Sequence, residues 1–265
     1  MSTANPLDNG CDLGEHCDPQ QYHSAVVKLS SRAGARTCSR SVRVMQIAII
    51  GTGNVGRALA TSLVRAGHDV TLAARDGDKT RQVASEVGAT ASDSVADAAQ
   101  GADVVILAVP YAAEEALASL LRPVAGNKVI VDVANPLTPD YSGVATAGGP
   151  SAAERLAELL PDARVAKAFN TLFASVQADP KAHDTRVDGL FAVDDEAARA
   201  TLAALIGSIG LRPVHVGPLA RARELEAIGF LNISLQMTHG GDWRSAPVLL
   251  GAPAAATQVP AASRA

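Results

Sequence analysis

From position 45 onward, apolar residues come in short unbroken runs separated by longer stretches with helical spacing. The runs fall at 46–50, 69–73, 104–109, 129–133, 164–168, 189–193 and 213–216, and residues 55–66, 79–87, 112–121, 151–160 and 195–209 between them read as helices. Strands that are apolar throughout are buried on both faces, so the alternation predicts an α/β protein with a mostly parallel sheet covered by helices on each side. Gly67 stands where a helix C-terminus is expected, and Asp93 and Ser94 open a short helical patch that Gly101 ends. Residues 218–238 read as a long final helix, with Leu219, Ala222, Leu225, Ala227, Ile228, Leu231 and Leu235 at near-helical spacing. Such an apolar face suits a homodimer and equally a monomer's core.

Residues 1–44 break this pattern. They mix Asn, Asp, Gly, Pro, Ser and Arg without periodicity and contain no apolar stretch long enough for a secretory signal. The reading is a disordered extension or start-site artefact, with Met45 as the natural start. Residues 251–265 are rich in Ala and Pro and read as a mobile tail.

The strongest local motif is Gly51-Thr52-Gly53-Asn54-Val55-Gly56. It follows an apolar strand and opens an amphipathic helix, the context in which a GxGxxG pattern cradles a dinucleotide pyrophosphate. Gly51 allows the tight turn, Gly53 lets backbone approach the pyrophosphate, and Gly56 lets the helix pack close to the strand. The helix N-terminus then offers free N–H groups and the positive end of its dipole to the anion. The fold class is therefore a Rossmann-type doubly wound sheet, with a small C-terminal helical element.

The next strand ends in Ala73-Ala74-Arg75-Asp76. An NAD enzyme usually places Asp or Glu at this point to hold the ribose 2′-hydroxyl. Here Arg75 follows two alanines, and Lys79 lies one helical turn on. Two cations at this spot suit a 2′-phosphate, to which Thr52 can add a hydroxyl. NADP(H) is expected over NAD, unless Asp76 turns inward to repel the phosphate. Further strand ends converge on the same edge: Val109-Pro110-Tyr111, Asn135-Pro136 and Ala168-Phe169-Asn170-Thr171-Leu172. Ligands of open α/β sheets bind there.

Composition narrows the partners. The net charge of −4 and 3 % aromatic content argue against nucleic-acid binding, and no apolar run is long enough to span a membrane. All three cysteines, Cys11, Cys17 and Cys38, precede position 45. A disulfide framework is excluded for the rest of the chain, and a reducing cytoplasm fits. With His16 they do not form a paired-ligand metal spacing, so no metal is expected.

Acid–base chemistry is harder to find. No Tyr/Lys pair, nucleophile elbow or HExxH occurs, and His68, His183, His215 and His239 are scattered. Lys167, just before Phe169, reads as a surface charge. No catalytic acid or base is therefore assigned. Hydride transfer by simple juxtaposition of two rings, to a flavin or deazaflavin, needs none. Two alternatives stay open: an imine or ketone reductase using Tyr111 or Asp132 as proton donor, and a non-catalytic NADP-binding sensor.

From Met45 to about Gly251 the chain resembles the bacterial NADP oxidoreductases related to the deazaflavin (coenzyme F-420)-dependent NADP reductases. The same domain type occurs in the cytosolic part of six-transmembrane metalloreductases. The resemblance lies in Met45–Gly56, Ala74-Arg75-Asp76, Ala108-Val109-Pro110, Val131–Pro136, Val165–Thr171, Gly210–Leu219 and Arg221–Arg244. It implies a Rossmann domain over 45–168 and a smaller part over 169–250 that forms the hydride-acceptor pocket. It also implies NADP(H) along Gly51–Gly56, Arg75, Lys79, Val109, Pro110, Asn135, Pro136 and Ala168. Phe169, Asn170, Thr171 and Leu172 would border an acceptor that is coenzyme F-420 or FMN/FAD. Deazaflavin-linked members carry Ser where this chain has Ala74 and His where it has Asn170. The Asn form occurs in relatives whose acceptor is a flavin or unknown. Arg212, Arg221, Arg223 and Arg244 are the cations available to an acidic acceptor tail.

Overall fold

The computed structural model describes residues 43–257, so the cysteines, His16 and the start of the expected N-terminal extension lie outside the described residues, as do residues 258–265. One eight-stranded sheet organises the chain. Its strands are β1 (Gln46–Ile50), β2 (Asp69–Ala73), β3 (Thr90–Ser92), β4 (Val104–Leu107), β5 (Val129–Asp132), β6 (Arg164–Ala168), β7 (Asp188–Val193) and β8 (Arg212–Gly217). Their order is β3-β2-β1-β4-β5-β6-β7-β8. Every pairing is parallel except β6 with β7. The first six strands have the doubly wound order whose connection reverses direction between β1 and β4, the point where such sheets open a ligand crevice.

The helices start where polar caps permit. Asp76 accepts from the Lys79 amide to begin α2 (Gly77–Val87), and Ser94 does the same for α3 (Val95–Gln100). Ser151 and Glu154 form a capping box on α5 (Ala152–Leu159), and Asp195 caps α7 (Glu196–Ser208). Between them stand α1 (Asn54–Arg65), α4 (Glu114–Leu121) and α6 (Ala174–Ala178), with α8 (Ala222–His239) and α9 (Ala254–Thr257) last. The pleat divides the core. Ile47 and Ile49 face Leu59 and Leu63 of α1, Val83 of α2, Val176 of α6 and Leu202 and Ile206 of α7. Ala48 and Ile50 face α3, α4 and α5 through Ala99, Leu121 and Leu156. Each such Leu or Ile, fully buried, contributes roughly 1.5–3 kcal/mol.

Several expectations shift. The short β3, Thr-Ala-Ser, and the five-residue α6 carry too few apolar residues to signal themselves. β7 and β8 continue the same sheet beyond β6. The final helix begins at Ala222, after Pro218 and a 3-10 turn at Leu219–Arg221. Its apolar periodicity misleads. The buried face is Ala222, Leu225, Glu226, Gly229 and Asn232, whereas Leu231 is 59 % and Leu235 48 % exposed. Within the expected tail, α9 forms one turn, and Ala256 packs beside Val214 and Leu225.

Candidate active site at the carboxyl edge of the sheet

The cofactor and acceptor-pocket candidates between Gly51 and Leu172 lie at or just beyond the carboxyl ends of β2, β1, β4, β5 and β6, which are consecutive neighbours. At β1, Gly51 has a φ of +117°. A side chain there would run into the Ala108 carbonyl, and one at Gly56 into the Gly51 carbonyl. Only glycine fits both. Gly53 differs, because a Cβ there would face open space. Gly53 is also the N-cap of α1, which has no side-chain cap and no acidic residue in its first turn. Its leading N–H groups, at Asn54, Val55 and Gly56, are thus left to an outside acceptor.

At the end of β2, Arg75 and Lys79 are exposed, and neither side chain has an ion-pair partner among the described residues. Their neighbours contrast: Arg57 pairs with Glu86 at 2.6 Å, and Arg81 with Asp93 and Asp78. Asp76 does not turn toward the edge, because its carboxylate is taken by the α2 cap at 3.0 Å.

Beyond β4, Val109 is half-buried and Pro110 exposed. Tyr111 opens a 3-10 turn, and its hydroxyl accepts from Arg155 at 3.1 Å. Beyond β5 and β6, two asparagines lock together. Asn135 Nδ2 donates to the Asn170 carbonyl at 2.8 Å, while Asn170 Nδ2 donates to Asn135 Oδ1 at 3.0 Å and to the Leu225 carbonyl of α8 at 2.9 Å. Pro136 and the run from Ala168 to Leu172 are buried beside them. Phe169 holds a φ of +63°, costly for a bulky residue. Gln177 of α6 pins that loop, donating to the Phe169 carbonyl at 2.9 Å and the Leu172 carbonyl at 2.7 Å. Two buried atoms of the loop, Asn170 Oδ1 and Thr171 Oγ1, have no hydrogen-bond partner.

Beneath the asparagine pair lies a buried charge network. Lys167 is fully buried, not a surface charge. Its Nζ donates to Asp132 Oδ2 at 2.7 Å, to the Ala134 carbonyl at 2.6 Å and to Glu226 Oε1 at 2.9 Å. Burial works against its charge, but Asp132 and Glu226 prevail and raise its pKa. Asp132 Oδ1 accepts from the Ala134 amide at 2.7 Å. Glu226 accepts from the Ala152 amide at 2.9 Å and from Thr146 Oγ1 at 3.1 Å. Glu114 completes the group. Burial, reinforced by the Asp132 charge and a hydrogen bond with Asp132, pushes its pKa up to about 9, so at neutral pH it holds a proton. Removing one partner from a buried network of this kind costs about 3–5 kcal/mol.

Comparison with known proteins decides the family. The profile described as NADP oxidoreductase, coenzyme F420-dependent, matches residues 46–136. The F420-dependent NADP reductase of Methanothermobacter thermautotrophicus is 35 % identical over 212 residues, covering 74 % of this chain and 91 % of the relative. The chain belongs to the F420-dependent NADP reductase family. It is an NADP-dependent oxidoreductase. A crystal structure from Arthrobacter sp. FB24, provisionally named an F420-dependent NADP-reductase, superposes with a TM-score of 0.71 at 30 % identity, covering 77 % of this chain and 99 % of that one. The metalloreductase STEAP3 of Rattus norvegicus is 33 % identical over 69 % of this chain, which spans 36 % of that protein.

In this family member, several cations considered for an acceptor tail are already engaged. Arg212 is forked onto Asp188, Arg221 pairs with Glu224, and Arg223 grips Glu154 through two nitrogens. The Arg223 hydrogen bonds lower the Glu154 pKa to about 2. Arg244 is exposed. His68 lies at the opposite end of the sheet, where it accepts from the Met45 amide and meets Ser208. Among the described residues no helix is long and apolar enough to cross a membrane, and no cluster of His, Cys, Asp and Glu suits a metal ion. The sequence reading missed Glu114, Gln177, Glu226 and Gly229. The one available signal was the i, i+3 spacing of Glu226 and Gly229 along α8.

Proposed function

We propose that the protein transfers a hydride between NADP(H) and a deazaflavin (F420-type) or flavin acceptor. The observation that carries this reading is that the two carboxylates bonded to Lys167 beside the asparagine pair, Asp132 and Glu226, are already committed. Asp132 is closed off by Lys167 and the Ala134 amide, and Glu226 by Lys167, the Ala152 amide and Thr146. Residues 169–172 then offer a pocket only neutral groups. A site of that kind aligns two rings and does not donate protons to a carbonyl. The same observation weighs against an imine or ketone reductase that uses Asp132 as its proton donor.

The residues fit the cofactor. The open space at Gly53 and the uncapped start of α1 receive a pyrophosphate, and the unpaired Arg75 and Lys79 receive a 2′-phosphate, with Thr52 beside them. Val109, Pro110, Asn135, Pro136 and Ala168 border the nicotinamide. The unpaired Asn170 Oδ1 wants a donor, which a carboxamide N–H supplies. Phe169, Asn170, Thr171 and Leu172 border the acceptor, in a cytoplasmic setting. The rings bring the hydride chemistry, and the chain's part is to bind, orient and exclude water.

The test is oxidation of NADPH, with NADH as control, against coenzyme F420, FMN, FAD and riboflavin. Turnover that prefers NADPH and one of these acceptors is expected. Tight NADPH binding without turnover against any of them overturns the reading and leaves the sensor alternative.

A further inference from the structure

We propose that Lys167 is a positioning residue for hydride transfer: it clamps helix α8 and the Ala134–Asn135 turn to each other, and so sets how the nicotinamide end of the cofactor faces the acceptor. This rests on the reading above that the nicotinamide lies at the Asn135–Asn170 pair.

The geometry is that of a hub. One ammonium group joins three chain segments. The Ala134 carbonyl and Asp132 belong to β5 and its exit, Glu226 belongs to α8, and Lys167 itself stands on β6. Ala134 is held from both sides, its carbonyl by Lys167 and its amide by Asp132. The next residue is Asn135, whose amide closes the asparagine pair. Glu226 lies three residues before Gly229, on the same face of α8. At Gly229 the helix presses so closely on the pair that a Cβ would collide with the Asn135 side chain and come within 3.0 Å of the Asn170 carbonyl oxygen. Asn232, one turn further, donates to the Thr171 carbonyl at 3.2 Å. Charge at Lys167 thus fixes α8, and α8 fixes the loop that carries Asn170 and Thr171. A neutral donor with neutral acceptors would serve a purely structural join. A cation between two carboxylates is a costly way to make one, unless the geometry it sets matters.

The experiment uses the full chain and two variants. K167M removes the clamp, and G229A forces α8 off the asparagine pair while leaving every charge in place. Circular dichroism and thermal melts establish folding. The expected result in both folded variants is an NADPH dissociation constant close to wild type, because the pyrophosphate and 2′-phosphate contacts lie at β1 and β2. The fluorescence enhancement of bound NADPH, which reports the nicotinamide surroundings, should fall toward that of the free coenzyme. With the acceptor that wild type uses, kcat should drop by about a hundredfold, the loss expected when reacting groups are misplaced by about 1 Å. A folded variant with wild-type fluorescence and kcat overturns the proposal. If K167M does not fold, G229A decides alone. If wild type oxidises NADPH with none of the acceptors, the proposed function has failed, and the fluorescence result still decides this inference.

Discussion

The carboxyl edge of the sheet has two halves built on opposite principles. At β1 and β2 the edge is open. Its contacts are backbone N–H groups, an exposed Arg75 and Lys79, and the empty space beside Gly53. At β5, β6 and α8 it is closed. A buried lysine, three buried carboxyl groups and interlocked asparagines pack together, with single buried atoms such as Asn170 Oδ1 and Thr171 Oγ1 left unpartnered. The first half keeps its polar groups free for something that arrives, so affinity belongs there. The second spends its polar groups on shape, so alignment belongs there. Mutations in the two halves should therefore separate binding from turnover.

The largest effect should come from Gly53→Val. The added side chain has room in the protein but occupies the pyrophosphate's place, so NADPH affinity should fall by at least about a hundredfold while the thermal midpoint holds. Retained binding in a titration would move the pyrophosphate elsewhere. Gly56→Ala sharpens the point: its Cβ meets the Gly51 carbonyl, so this variant should melt at a lower temperature. Next comes Arg75→Ala, which should weaken NADPH by about ten- to a hundredfold and leave NADH unchanged, since only the former carries the 2′-phosphate. Equal losses for both would remove Arg75 from that role.

On the closed side, Glu114→Gln tests the proton held in the network. The ordinary glutamate pKa of 4.5 is raised to about 9 in the folded protein. Between those values the folded state binds a proton that the unfolded chain has released, so this group's stabilising contribution is full below about pH 4.5 and declines as pH rises toward 9. Glutamine keeps the shape without the titration. The stability gain of the variant over wild type should therefore grow from pH 5 to pH 9 in denaturant melts, and a gap that stays constant would place Glu114 in its charged form. The smallest effect is expected from Thr171→Val. Its hydroxyl has no partner, so the free protein should be unchanged or more stable by up to about 1 kcal/mol. Acceptor turnover should fall a few-fold at the same time.

The two halves also differed in how far the sequence revealed them. The open half rests on glycine spacing and on charges a few residues apart, features local enough to read directly. The buried strands were equally plain, because continuous apolar runs have few other uses. The closed half depends on pairs far apart in the chain: Lys167 with Asp132 and Glu226, Gly229 with Asn135. Lys167 looked like a surface charge because burial of a lysine requires partners that no local pattern displays. Helix α8 misled for a related reason. Its apolar residues Leu231 and Leu235 face outward, while a glutamate, a glycine and an asparagine turn inward toward the pocket.

The central claim is that this chain aligns two rings for direct hydride transfer and supplies no acid or base of its own. A single turnover with NADPH dideuterated at C4 and coenzyme F420 as acceptor tests it most directly. The account predicts a primary isotope effect on the rate and full retention of the label in the reduced deazaflavin. Reduction of F420 without an isotope effect, or with the label lost to solvent, would contradict it, and so would the absence of transfer to F420 and to every flavin.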